Sequence, residues 1–175
     1  VGLAGYKATA AAGVTVAFGG PTGPSFDDIL LHEFGHFFGA NHSFNGVLGN
    51  CDVVFEGRNA STAFEPGSGT TIMSYAGICP AVYSDPPEGD NLLNEAHFYF
   101  HPGSLDERIE HLESLDASST GTRDVGVNAV PDIVVGANYV IPAATPFDVT
   151  VSGSDLDGDL LLYTIEQMDL GPPQT

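Results

Sequence analysis

The sequence predicts an α+β chain in two parts. A helix-bearing unit covers residues 1–118, a polar linker covers 119–124, and the start of an all-β sandwich covers 125–175. Three observations carry this reading. Large apolar residues recur at helical spacing around Ile29–Phe38 and again over Leu105–Leu115. The stretch Asp116 to Asp124, D-A-S-S-T-G-T-R-D, is polar and aperiodic. Beyond it only short β patterns remain, at 133–135, 139–141, 147–151 and 160–165, separated by Gly, Pro and Asp. A sandwich of this kind takes about 100 residues, so the roughly 50 present read as a partial one.

Taken in order, residues 1–12 show no period, and Val14, Val16 and Phe18 alternate as in a short half-buried strand. The chain opens at Val1 without a methionine, in what reads as a folded segment, so the expectation is a fragment or a processed product. Turn residues fill 19–24. Ser25 is a suitable N-cap, with Asp27 and Asp28 placing negative charge in the first turn. The helix is expected over Phe26–Phe38 and ends at Gly39, which enters the left-handed region without steric cost. Ile29, Leu30, Phe34, Phe37 and Phe38 predict that it is buried on most sides.

Residues 43–70 are rich in Gly, Asn and Ser, a long irregular segment of the kind that is functional or pinned by a cross-link. Cys51 and Cys79 flank this region. In a secreted chain they pair with each other; otherwise they are two buried thiols. Ser104–Glu107 has the pattern of a capping box, opening a helix to about Asp116 with Leu105, Ile109, Leu112 and Leu115 on one face.

Charge narrows the partners. Four Lys+Arg against 23 Asp+Glu give a formal net charge of -19. Nucleic acid and anionic membrane surfaces both need clustered cations and are excluded as partners. No stretch of about 18 apolar residues is present to span a bilayer. Nothing in the sequence specifies an oligomeric state.

One stretch carries chemistry: His32 to His42, H-E-F-G-H-F-F-G-A-N-H. His32 and His36, four apart on a helix, lie on the same face and can hold one zinc ion. Glu33 stands between them as a general base for a water on that metal. The turn at Gly39 can swing His42 back to the same ion. Three protein ligands leave a tetrahedral position open, which is the layout of a catalytic rather than a structural zinc site.

With those residues in view, the stretch resembles the elongated zinc signature of the metzincin metallopeptidases. That resemblance implies the C-terminal part of a zincin-like catalytic domain, with an active-site helix, peptide or protein substrates and a zinc cofactor. It also implies that Met73, in T-I-M-S-Y, forms the Met-turn beneath the zinc, and that Tyr75, two residues on, approaches the zinc and donates to the oxyanion, as in astacin-like and serralysin-like members. The segment F-E-P-G-S-G-T-T-I-M-S-Y-A-G-I-C is similar to secreted bacterial reprolysin-like peptidases. The resemblance covers about residues 26–116. The family's sheet is expected mostly ahead of Val1, with residues 14–18 as its last strand.

His97 and His101 are again four apart, but no acid stands in the position of Glu33 and Pro102 stops a helix there, so packing or hydrogen bonding is expected rather than a second metal. His111 is placed on the solvent side of its acidic helix. Asp155, Asp157 and Asp159, with Glu166 eleven positions after Asp155, imitate a calcium loop, but Leu160 stands where an EF-hand needs glycine. The stretch is similar to cadherin-like or immunoglobulin-like modules, where it is a hairpin turn with Gly158 at positive φ or a Ca²⁺ site between modules. The leading expectation is a secreted zinc endopeptidase. The competing class, a non-catalytic extracellular binding fragment with a structural zinc, is opposed by the presence of Glu33 and by a set of three ligands rather than four.

Overall fold

The computed structural model describes residues 24–52, 57–79, 91–115 and 128–173. They fall in two compact units, one of Val1–Gly121 with Glu166–Thr175 and one of Thr122–Ile165. The first holds helix α1 (Pro24–Phe37), a 3-10 turn (Gly49–Cys51) and helix α2 (Pro102–Ser114). The second holds strands β1 (Asp132–Val134) and β2 (Ser152–Ser154). No helix among the described residues is long and apolar enough to cross a membrane.

Helix α1 starts at Pro24, two residues ahead of the expected position, so Ser25 is inside the first turn and not its cap. Proline suits a first helical position because its missing N–H would have had no intrahelical partner. The end matches expectation closely. Gly39 has φ +95°, its N–H donates to the His36 carbonyl at 3.0 Å, and the Ala40 N–H donates to the Gly35 carbonyl at 3.0 Å. This pair of bonds is a Schellman motif, which satisfies carbonyls left over at the helix end. Helix α1 is not buried on most sides: Phe34 and Phe38 are exposed. Its packed side is that of Leu31 and Gly35, against Met73, Ile72 and Phe100.

Helix α2 departs from the sequence reading in a more instructive way. It begins at Pro102, the residue expected to stop a helix, and its N-cap is His101, whose Nδ1 accepts from the Gly103 N–H at 3.1 Å. The capping box is not used, because the Glu107 carboxylate reaches Asn41 instead. The apolar face points outward, with Leu105, Ile109 and Leu112 exposed. The packed face is Ser104, Glu107, Arg108 and His111. Ser104 is buried, the Arg108 guanidinium lies 4.2 Å over the Phe100 ring, and His111 covers Gly39 rather than facing solvent. The surface it meets is backbone, amide and ring faces, which polar and cationic side chains match.

Two small cores form in the first unit. One is Ala40, Ile72 and Met73 with Leu31 and Phe100. The other is Phe44, Cys51 and Cys79 with Tyr75. The Cys51–Cys79 disulfide closes the second, so the cysteines are a pair and not free thiols. A short parallel bridge pairs Phe44 with Glu65, with the Asn45 N–H on the Glu65 carbonyl at 2.8 Å and the Glu65 N–H on the Ser43 carbonyl at 2.9 Å.

In the second unit β1 and β2 are antiparallel, pairing Asp132 with Ser154, Ile133 with Gly153 and Val134 with Ser152. No sandwich is formed among the described residues, and 139–141, 147–151 and 160–165 are not strands. Apolar alternation gives a segment the propensity for a strand, but a strand exists only where a neighbour takes its backbone bonds. Here the neighbour is Ser152–Ser154, a segment of low β propensity. The turn at Asp155–Asp159 does form, with Gly158 at φ +80° and Asp155 Oδ1 accepting from the Asp157 and Asp159 N–H groups at 2.8 and 3.2 Å. Glu166 is engaged elsewhere, accepting from the Tyr99 hydroxyl at 2.7 Å. The expected strand at 14–18 and the linker at 119–124 lie outside the described residues.

Candidate metal centre

His32 and His36 project from successive turns of α1, and the Schellman turn at Gly39 returns the chain so that His42 meets them. Their ring centroids lie 4.8 to 5.2 Å apart. They are the one group of three or more potential metal ligands among the described residues, each offering an atom within 4.8 Å of the others. His97 and His101 do not join a ligand group; His101 caps α2 instead.

What orients the rings is backbone. His32 Nδ1 is 2.7 Å from the Ile72 carbonyl, His36 Nδ1 is 2.8 Å from the Ala40 carbonyl and His42 Nδ1 is 2.5 Å from the Gly57 carbonyl. A carbonyl can only accept, so each Nδ1 carries the proton and donates. Each Nε2 is therefore the unprotonated nitrogen, the one that can ligate a metal. Nε2 of His36 and of His42 stand 3.2 Å apart. Two lone pairs at that distance repel unless a cation lies between them. The edge of a tetrahedral zinc site with Zn–N of 2.0–2.1 Å is about 3.3 Å. The donor set, its tautomers and the His36–His42 spacing thus fit zinc, and the carbonyl partners are of the kind that orient such ligands.

Electrostatics agree. Burial pushes His32 well below the usual imidazole range, the neighbouring His36 and His42 push it the same way, and the Ile72 carbonyl only partly opposes them. Burial likewise lowers His36. Both are held neutral, the form that binds a metal.

The other expected residues gather around the triad. The Tyr75 ring centroid lies 4.5 Å from His42 and 5.7 Å from His32. Burial, and secondarily the negative charge of Glu33, raise its pKa, so its hydroxyl stays protonated as a donor. Met73 is fully buried beneath α1, where its side chain occupies the space that a Cβ on Gly35 would need. Its carbonyl accepts from the Ser43 N–H at 3.1 Å, tying the residue after the third histidine to the same loop.

Three supports were missed by reading the sequence. The first is Glu65, a buried carboxylate. It accepts from the Thr70 and Thr71 N–H groups at 2.7 and 3.0 Å and from the Ser43 and Thr71 hydroxyls at 2.5 Å each. It joins the segment bearing His42 to the loop whose Ile72 carbonyl orients His32. Its only signal was one acid in a run of Gly, Ser and Thr. The second is Glu107 of α2, which accepts from the Asn41 N–H at 2.8 Å and also from its side-chain amide, fixing the residue before His42. The third is Gly57, whose carbonyl orients His42 and whose missing Cβ lets it lie against the Asn50–Cys51 backbone. Glu107 was marked only as part of a capping box, a role it does not take, and no local pattern marked Gly57.

Among known families, the one described as Metallo-peptidase family M12B Reprolysin-like matches residues 1–97. The match thus begins ahead of residue 26, where the expected resemblance starts, and ends at 97, short of the expected 116. No curated protein and no solved structure matches the chain.

Proposed function

The chain belongs to the reprolysin-like M12B metallopeptidase family, and from that premise we propose that it is a secreted zinc endopeptidase of metzincin type. The observation that carries the reading is the convergence of three imidazoles whose Nδ1 atoms are all engaged by backbone carbonyls. His32, His36 and His42 would hold zinc, which when bound would supply Lewis acidity toward the scissile carbonyl and lower the pKa of a water toward about 7.

The remaining steps fall to the chain itself. The Glu33 carboxylate takes the proton of the attacking water and returns it to the nitrogen of the leaving amine. The Tyr75 hydroxyl donates to the carbonyl oxygen as negative charge develops there. Met73 acts as the Met-turn floor, and Gly35 admits it. Family membership supports peptides or proteins as substrates, and the disulfide supports an oxidising, extracellular setting.

The test is Glu33→Ala, with zinc content and hydrolysis of a mixed peptide library measured together. Zinc at one per chain with hydrolysis abolished is expected. Retained hydrolysis would overturn the mechanism, and absence of stoichiometric zinc in the parent protein would overturn the zinc assignment.

A further inference from the structure

The residues after the β unit return to the first unit and are bonded to it along their length. The Tyr99 hydroxyl donates to Glu166 at 2.7 Å, and His101 Nε2 donates to the Gln167 carbonyl at 3.2 Å. Further on, the Gly171 N–H donates to the Ala63 carbonyl at 3.1 Å. The Asn45 side-chain amide donates to the Pro172 carbonyl at 2.6 Å, and Arg58 Nη2 donates to the Gly171 carbonyl at 3.0 Å. Two of the groups engaged, Asn45 and His101, are buried. Residues 166–172 therefore form a strap across this unit, and the β composition that precedes them does not extend into it.

The strap ends on Asn45 and Arg58, which flank in sequence the groups that set the third histidine. Arg58 also donates through Nε to Asn45 Oδ1 at 2.9 Å, so one guanidinium fixes both Asn45 and the strap. Arg58 follows Gly57, whose carbonyl takes the Nδ1 proton of His42. Asn45 lies three residues after His42. His32 and His36 are held by their helix and its end. His42 has no helix, and its ring is set by a loop carbonyl that must itself be held. A planar guanidinium with several donors in fixed directions is suited to that bracing.

We propose that the strap is part of the metal centre: Gly171 and Pro172, acting through the positioning residue Arg58, hold the Gly57 carbonyl and thereby the imidazole of His42 at the zinc. This rests on the zinc reading of the triad and adds a segment that lies well outside its motif. Disturbing a group that orients a ligand lowers metal affinity by about 10–100-fold.

The experiment uses the full chain. A Cβ at position 171 would overlap the Asn45 amide, so Gly171→Ala lifts the strap without touching a ligand. Zinc affinity is measured by competition with a chelator, and the visible spectrum of the Co²⁺-substituted protein reports ligand geometry. Gly171→Ala is expected to weaken zinc binding about tenfold and to change the Co²⁺ bands, as is Arg58→Ala. The double variant is expected to lose no more than the worse single one, because both act on one route. Zinc affinity within twofold of the parent in either folded single variant overturns the proposal, as do losses that simply multiply. Should Gly171→Ala fail to fold, unchanged affinity in Arg58→Ala overturns it and a tenfold loss with altered Co²⁺ bands supports it. A parent chain that binds no zinc fails the zinc reading itself, a separate outcome.

Discussion

The side chain of Met73 fills the space beneath α1 where a side chain on Gly35 would project, and Phe100 closes the same space from the side. Glycine inside a helix costs about 1 kcal/mol relative to alanine, and here that cost is the condition for seating the methionine. In Gly35→Ala the helix gains that amount, while overpacking costs about 1–3 kcal/mol. The expected result is a net loss of about 1 kcal/mol in urea unfolding. Combining it with Met73→Ala should lose less than the sum of the two single variants, because the overlap is then gone.

Glu65 receives only donors, from Ser43, Thr70 and Thr71. Glu65→Gln keeps the shape but turns an amide N–H₂ toward some of them. Leaving buried donors opposed in this way costs about 3 kcal/mol. The urea midpoint should fall accordingly. Zinc affinity should fall with it, since Glu65 links the loops that orient His32 and carry His42.

Acid should destabilise the metal-free protein in a window set by the histidines. His32 and His36 are shifted down by burial, His32 further by its histidine neighbours. Below about 6.5, the unperturbed imidazole value, the unfolded chain takes up protons that the folded chain refuses. Their contribution to stability is therefore fully present above that pH and declines as pH falls toward the folded-state values. Urea midpoints between pH 8 and 5 should show this decline, and His32→Asn should flatten it.

At the alkaline end Tyr99 titrates. Its pKa is pushed up to about 12, by burial first and then by the hydrogen bond to Glu166 and that group's charge. The unfolded chain releases this proton near pH 10, so the folded state binds more protons from there upward. The contribution is fully present below about pH 10 and is lost as pH rises through 12. Tyr99→Phe should remove that part of the alkaline loss, followed by denaturation between pH 9 and 12.

Reduction of Cys51–Cys79, which spans 28 residues, should cost about 3.5 kcal/mol by loop-closure entropy. It should also loosen Tyr75, whose ring packs on the Phe44 and disulfide cluster. Thermal unfolding of Cys51→Ala/Cys79→Ala beside the parent measures the first effect. Tyr75 side-chain exposure, read by ultraviolet difference spectroscopy, measures the second.

The residues of the triad were legible because the rules that place them are local. Histidines at i and i+4 share a helix face, and a glycine three residues on can end that helix and turn it. Helix α2 shows where local reading fails. Its apolar stripe was legible, yet the stripe faces out and Ser104, Glu107, Arg108 and His111 face in. What a helix face packs on depends on the surface it meets, and here that surface offers Asn41, Gly39 and aromatic rings. The β patterns of 139–141, 147–151 and 160–165 failed for the same reason, since among the described residues no neighbouring strand pairs with them.

By itself the sequence determined which three side chains can share a metal, the turn that brings the third to the first two, and the acid that stands between them. Only the tertiary structure decided which carbonyl sets each imidazole, that Glu65 joins the two loops behind the ligands, and that Gly171 and Pro172 bond back to Ala63, Arg58 and Asn45. The first group is fixed by spacings of a few residues and by backbone geometry. The second depends on contacts between residues 22, 66 and 127 positions apart, and such contacts exist only once the chain has returned on itself.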